Sequence, residues 1–408
     1  MQKLIIDTDP GVDDVLALTL ALLSSNTDLA LISLCFGNCN TENSLRNVLT
    51  LMHVLQLEES HRNTKILHSK PKIAIGLETA LDGTQLDATD FHGQDGLGNV
   101  HNTAPHFSAP THWINQFNQD SDMNLSSSSS SLPFVASKTP SYLEIINILR
   151  TEPENTVTIV AIGPLMNLAK AAEIDPYVFS RAKSVVSMGG ALRVPGNVTP
   201  YSEFNVFSDP LAASRVYNLT GTLDRSPQNK SLPITLDILP LDLTEKHKMF
   251  AQDFDKVQEF HSTNPSPLFQ WASIWLKQTF NTYKHISGLD DSPQHLATLG
   301  IQMHDPLAVH YALTSHLIVD NNNVVTGLWR VHKNKDVRIE TNGTWTRGMT
   351  VEDRRGKPKR KDPTHNDYDE WLTEGHGNNI GVVGEYLGIR NFGQDVLSIM
   401  FGLPDNFF

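Results

Sequence analysis

The stretch Leu4-Ile5-Ile6-Asp7-Thr8-Asp9-Pro10-Gly11-Val12-Asp13-Asp14 decides how the rest of the chain is read. A short apolar run leads into four aspartates within eight residues, with Pro10 and Gly11 between them. A second apolar run, residues 15–23, follows at once. Four carboxylates packed this closely repel one another unless a cation, a proton or strong hydrogen-bond donors offset their charge. Unrelieved between two hydrophobic segments, they would oppose folding. The pattern therefore points to a hard divalent cation, Ca²⁺ or Mg²⁺, held by oxygen ligands where a strand ends and a helix begins.

Working outward, residues 4–6 read as a buried strand and residues 13–23 as a helix apolar on most faces. Residues 29–36 form a second strand ending in Gly37-Asn38. Thr41 is placed to cap the next helix, whose Leu45, Val48, Leu49 and Met52 fall at i, i+3, i+4 and i+7. Strands at 73–75, 157–162, 185–188 and 234–238 continue the rhythm. Helices are expected from Thr139-Pro140, over 165–173, from Asp209-Pro210, from Thr244-Glu245, over 267–283 and over 395–401, with further strands at 324–331 and 337–340. Strand and helix in alternation predict an α/β fold: a single domain over 1–408, its central sheet mainly parallel and flanked by helices. Such sheets bind ligands beyond the carboxyl ends of their strands, where the aspartates and Gly37-Asn38 fall. Two segments break the rhythm and are read as flexible insertions. One is 115–138, with six consecutive serines at 126–131; the other is the basic stretch 354–366.

Composition excludes some partners. With 408 residues, 39% of them hydrophobic, the chain can build a large core. A net charge of −13 argues against nucleic-acid binding, which relies on Lys and Arg to neutralise phosphates. Cys35 and Cys39, the only cysteines, read as free thiols of a reducing compartment. No signal-peptide pattern precedes Leu4, and no apolar stretch reaches the roughly 20 residues of a membrane span, so a cytoplasmic protein with no membrane partner is expected.

Further motifs recur at predicted strand ends and in a long loop, 76–110. They are His92-Gly93-Gln94-Asp95-Gly96-Leu97-Gly98-Asn99, Gly196-Asn197, Glu203-Phe204-Asn205 and His304-Asp305-Pro306, the last with Asp305 as the cap of an apolar helix over 307–313. An EF-hand loop starting at Asp7 would need Glu where Leu18 stands. A haloacid-dehalogenase-like phosphatase would use Asp7 as nucleophile and Asp9 as acid. It also needs a downstream Lys that is not evident, and it leaves Asp13 and Asp14 unexplained. A metal-assisted hydrolase needs a cation, a carboxylate to take a proton from water, and groups that hold substrate. Asp9 or Asp14, Asp305, and the group Asn197, Glu203 and Asn205 supply these.

Taken together, these segments resemble the nucleoside hydrolase family of the inosine-uridine preferring type. The resemblance rests on residues 7–14, Phe36-Gly37-Asn38, His92-Gly93 through Gly98-Asn99, Met188-Gly189-Gly190, Asn197, residues 203–207 with Asp209-Pro210, and His304-Asp305-Pro306; Arg347-Gly348-Met349-Thr350 resembles a late segment of the same family. It implies a Ca²⁺ held by Asp9, Asp14, Asp305 and the backbone carbonyl of Ile162, where the family often has Thr. Asp9 would take a proton from water, and cleavage would pass through an oxocarbenium-like state. Asp13, Asn38 and Asn205 would hold the 2′ and 3′ hydroxyls of a ribonucleoside. Asn197, Glu203, Phe204 and the Met188 region would lie toward its 5′ end. His304 would assist the departing base, His92 would line the pocket, and Asp7 would support the metal ligands from behind. The resemblance also implies nucleoside salvage and a homodimer or homotetramer. It leaves the base preference to the helix over 267–283, rich in aromatics (Phe269, Trp271, Trp275, Phe280 and Tyr283), and the segment up to Gln302. A noncatalytic ribose- or metal-binding protein of the same fold is the alternative, against which the presence of Asp9 and His304 stands.

Overall fold

The computed structural model describes residues 1–118, 132–221, 233–315, 324–361, 366–388 and 390–408. In chain order its strands are β1 (Gln2–Thr8), β2 (Thr27–Leu34), β3 (Lys72–Ile75), β4 (Val135–Ser137), β5 (Val157–Ala161), β6 (Ser184–Met188), β7 (Leu236–Leu239), β8 (Lys248–Phe250), β9 (Gly300–Gln302), β10 (Val324–Thr326), β11 (Trp329–Lys335), β12 (Val337–Ile339), β13 (Thr350–Glu352) and β14 (Ile380–Tyr386). Ten of them form one sheet in the order β10-β11-β14-β7-β6-β5-β1-β2-β3-β4. The pairings from β14 through β4 are parallel, and only the β10-β11-β14 edge is antiparallel. The expected mainly parallel α/β architecture is thus observed.

The topology explains where a ligand can go. From β1 the chain builds outward through β2, β3 and β4 in one direction, then returns to place β5, β6 and β7 on the other side of β1. Neighbouring connections diverge at the β1/β5 boundary, which opens a crevice at the carboxyl ends of these strands. Both faces of the sheet are covered. Leu4 and Ile6 of β1 pack with α1 (Val12–Leu23), α2 (Thr41–Arg62) and the helix Pro267–Ile286, whereas Ile5 packs with the helices Ser141–Thr151 and Met166–Ile174. A strand buried on both sides reads as an unbroken apolar run, which is why residues 4–6 show no polar alternation.

Several boundaries differ from expectation. Asn40, not Thr41, caps α2, its side chain accepting from Asn43 N–H at 2.8 Å. Pro140 stands at the cap position of the helix Ser141–Thr151 rather than inside it. Thr244 ends a short helix, Leu241–Thr244, and the next helical stretch is Ala251–Phe260. The helix His304–Thr314 starts at His304, so Asp305 sits in its first turn and caps nothing. Residues 324–331 are two strands of a hairpin, β10 and β11, not one strand.

The serine run at 126–131 lies outside the described residues. Its flank is part of the fold: Phe134 is buried, and β4 adds an edge strand parallel to β3. Residues 134–137 of the stretch 115–138 thus pack with the body. Within 354–366, Arg360 bridges to Thr373, so the described part of that stretch is attached to the body as well. Among the described residues no helix is long and apolar enough to cross a membrane.

Candidate active site

Each strand bordering the crevice delivers a polar group at its carboxyl end. β1 runs into Asp9, β2 into Gly37-Asn38, β5 into Ile162 and β6 ends at Met188. A cavity of about 350 Å³ opens there. Asp13, Asn38, His92, Ile162, Met188, Asn197, Glu203, Phe204, Asn205, His304 and Asp305 all line it. The remaining expected residues, Asp7, Asp9 and Asp14, lie fully buried behind that lining.

The floor is acidic. One carboxylate oxygen each from Asp13, Asp14 and Asp305 lies within 4.8 Å of the others. This trio differs from the set implied by resemblance: Asp13 belongs to it and Asp9 does not. The packing of α1 against the helix His304–Thr314 explains the convergence, since Asp13 and Asp14 stand in the first turn of one and Asp305 in the first turn of the other. Both helices thus turn their partially positive ends toward the cluster, which favours anionic groups. Backbone and side-chain donors hold Asp14 in place. Its Oδ1 accepts from Thr8 Oγ1 at 2.5 Å, and its Oδ2 accepts from Gly11 N–H at 3.0 Å and Asn38 Nδ2 at 2.8 Å.

Asp9 is held differently. Its Oδ2 accepts from Asn38 N–H at 2.6 Å, while its Oδ1 is buried with no partner. Gly37 and Gly163 wrap this carboxylate so closely that a Cβ would fall 2.0 Å and 2.6 Å from its two oxygens. Only glycine allows backbone that near. Asp7 points away from the cavity, its Oδ1 accepting from Ser33 Oγ and from Asn167 Nδ2, the latter at 2.9 Å. It braces β1 from behind.

Burial raises the pKa of every one of these carboxyls. Asp13 is pushed up to about 7 by burial and then by the Asp14 charge, and Asp7 to about 7 by burial alone. Burial and neighbouring carboxylates drive Asp9 and Asp305 well above the usual range. Among the described residues, no lysine or arginine lines the cavity. Clustered carboxylates, an orphaned buried oxygen and the Ile162 carbonyl make an all-oxygen donor set with no countercharge, which fits a hard divalent cation. Asn205 Nδ2 donates to that carbonyl at 2.9 Å, so the Ile162 oxygen faces the same space. The main chain offers this oxygen, so an apolar side chain at Ile162 is compatible with it.

Glu203 builds the neighbouring wall. Both its oxygens accept backbone N–H groups, from Asn205 at 2.9 Å, Val206 at 3.1 Å and Gly190 at 2.9 Å. It therefore positions Asn205 as well as lining the cavity. Asn197 Oδ1 accepts from Phe204 N–H at 2.9 Å and joins the same loop. The glycine-rich loop is organised around Asp95, whose carboxylate accepts from Leu97, Asn99 and His101 N–H. Asn47 ties it to the aspartate motif by donating to both Asp95 O and Pro10 O. His92 thereby meets the start of α1, with Nδ1 accepting from Val12 N–H at 3.1 Å. Burial pulls His92 down to about 3 and His304 to about 4, so both rings are neutral near pH 7.

The opposite wall holds residues the motifs did not reveal: Glu245, Thr279, Tyr283, Ile286, Ile301 and Gln302. Gln302 Nε2 donates to Tyr283 Oη at 3.2 Å. The aromatic helix pattern pointed to this wall without identifying its members. Cys35 and Cys39 are both free and buried, and burial pushes the Cys39 thiol up to about 12.

A doubly covered, mainly parallel sheet with an acidic, cation-fitting crevice at its switch point fits a metal-assisted hydrolase. The family profile described as inosine-uridine preferring nucleoside hydrolase matches residues 4–381. The chain belongs to that family, whose members are metal-dependent and hydrolyse the N-glycosyl bond of ribonucleosides. It is 28% identical over 353 residues to probable uridine nucleosidase 2 of Arabidopsis thaliana, covering 86% of this chain and 85% of that protein. It is 27% identical over 352 residues to the inosine-uridine preferring nucleoside hydrolase of Crithidia fasciculata, covering 86% and 88%. Among solved structures, a plant nucleoside hydrolase superposes with a TM-score of 0.68 at 23% identity over 99% of both chains, which supports the fold.

Proposed function

We propose that the protein is a calcium-dependent ribonucleoside hydrolase that splits uridine and inosine into ribose and free base, acting in cytoplasmic nucleoside salvage. The convergence of Asp13, Asp14 and Asp305 within 4.8 Å, on the floor of a cavity that also offers Asn38, Asn205 and His304, carries this reading. Calcium accepts six to eight oxygen ligands and tolerates backbone carbonyls, which suits three carboxylates beside Ile162 O. The names of the Arabidopsis and Crithidia relatives support uridine and inosine as substrates.

When bound, the cation offsets the carboxylate charge and makes a nearby water more acidic. The chain's own residues do the rest. Asp9 has one oxygen pinned by Asn38 N–H, which leaves Oδ1 to accept a proton from the attacking water. Asp13, Asn38 and Asn205 hold the 2′ and 3′ hydroxyls, with Asn205 fixed by Glu203. Asn197, Glu203, Phe204 and Met188 enclose the 5′ end. His304 donates a hydrogen bond to the departing base, and His92 closes the pocket beside it. A pocket built for ribose hydroxyls rejects a deoxyribonucleoside because its own polar groups are then left unpaired.

The test is to incubate the protein with uridine, inosine, cytidine and 2′-deoxyuridine, with and without a chelator, and to measure free base. The expected result is release from uridine and inosine, lost on chelation and regained with Ca²⁺, and little from 2′-deoxyuridine. No release from any ribonucleoside in the presence of Ca²⁺ would sink the reading.

A further inference from the structure

One side chain, Thr244, supports the ring of His304 from behind. Its Oγ1 lies 2.7 Å from His304 Nδ1, and the residue is fully buried. Backbone pairing brings the two together. β8 and β9 run antiparallel with Lys248 opposite Gln302, and the pairing extends one step further as Met303 N–H donates to His247 O at 2.9 Å. That extension sets the end of the helix Leu241–Thr244 against the first residue of the helix His304–Thr314.

The hydrogen-bond accounting fixes the direction of this contact. Among the described residues Thr244 Oγ1 has no other hydrogen-bond partner. If Nδ1 carried the ring hydrogen, the threonine oxygen would accept it and its own O–H would stay buried without an acceptor. A buried donor left unpaired is unfavourable, so the hydroxyl donates and Nδ1 accepts. The ring hydrogen then resides on Nε2, on the ring edge away from Thr244.

We propose that Thr244 is a positioning residue that locks His304 in the Nε2–H tautomer and aims that donor at the departing nitrogen of the base. The proposal rests on the reading that His304 serves the leaving group. In the step it supports, the C1′–N bond breaks and its electron pair stays on nitrogen. The oxygen of water bonds to C1′, and the proton of that water passes to Asp9 and then to solvent. The base anion, hydrogen-bonded by Nε2–H, takes its proton from solvent. A rigid donor matters most when the leaving group is a poor one.

The experiment compares Thr244→Val, Thr244→Ala and Thr244→Ser, with His304→Gln as reference, on uridine and on the riboside of 4-nitrophenol, whose phenolate leaves without help. Thr244→Val is expected to lower kcat for uridine by about tenfold or more, with KM little changed and a loss of at most about threefold on the nitrophenyl riboside. Thr244→Ser, which keeps the hydroxyl, is expected to restore most of the uridine rate. If Thr244→Val does not fold, Thr244→Ala gives the same ratio. Equal losses on both substrates, or no loss on uridine, overturn the proposal. If His304→Gln itself slows both substrates equally, the reading of His304 has failed, and this proposal falls with it.

Discussion

Two buried carboxylate centres on one sheet are finished in opposite ways. On β7, Asp237 accepts from Tyr311 Oη at 2.7 Å and from Lys333 Nζ, so the chain supplies both a donor and a cation. Gly381, on the neighbouring strand, leaves room for that pair, since a Cβ there would fall 1.9 Å from Asp237 Oδ1. At the crevice, Asp9 and Asp14 receive hydrogen bonds from backbone and side chains, yet among the described residues no lysine or arginine lines the cavity. The first centre is complete within the protein and links β11 to β7 across β14. The second has everything except a positive charge, which is the design of a site that takes its cation from solution.

The sharpest way to break this contrast is Asp9→Ala. Removing the proposed base should cut base release from uridine by about 10³-fold or more while circular dichroism stays native. Persistent turnover would mean that the acidic cluster is not the reaction centre. The next largest effect belongs to the other centre. Lys333→Met should lower stability in urea unfolding by about 2–4 kcal/mol, because Asp237 would lose its buried partner. The value falls toward the low end, since the Lys333 side chain keeps 26% of its exposure. Turnover by the folded fraction should remain calcium-dependent.

Calcium itself provides the third comparison. At about 100 times its Kd it should stabilise the wild type by about 2.7 kcal/mol, and Lys333→Met by the same increment. Asp305→Asn gives the smallest and most diagnostic shift. Without calcium it should match or exceed the wild type by about 1 kcal/mol, because one repelling charge is gone. With calcium it should gain little. A cluster like the β7 centre would show the reverse, losing stability whenever a carboxylate is neutralised. Thermal unfolding with and without chelator distinguishes the two.

What could be read in advance followed from where information is local. Asp9, Asn38 and Met188 stand at or just beyond strand ends, so the apolar run before each marks its place without knowledge of its neighbours. His304-Asp305 was legible as a motif, but its geometry was not. Asp305 has the residue type of a cap, yet Met303 stands at the cap position and the helix begins two residues earlier than a cap at Asp305 would set it, where the Met303–His247 bond extends the β8/β9 pairing. Which of the aspartate oxygens converge with Asp305 could not be read from spacing, because that follows from the packing of α1 on a distant helix. β4 was hidden beside a polar segment because a three-residue edge strand carries little periodicity. The place of Glu245 in the cavity wall and the contact of Thr244 with His304 were missed for a related reason: both depend on chain segments distant in sequence, which nothing near these residues signals.

The pairing of α1 with the helix His304–Thr314 also constrains how the protein is made. During synthesis Asp13 and Asp14 emerge long before Asp305, so a nascent chain carries the repulsion of the early aspartates without the later helix end that helps offset it. Divalent ions have no complete trio to hold until that helix has left the ribosome and docked. On the proposed ion site, capture is then expected late in biogenesis, as a seal on the finished molecule rather than a nucleus for its assembly. On the same proposed site, a chain truncated before residue 304 is expected to keep the whole aspartate motif and yet bind calcium far more weakly, which calcium titration of the two chains would check.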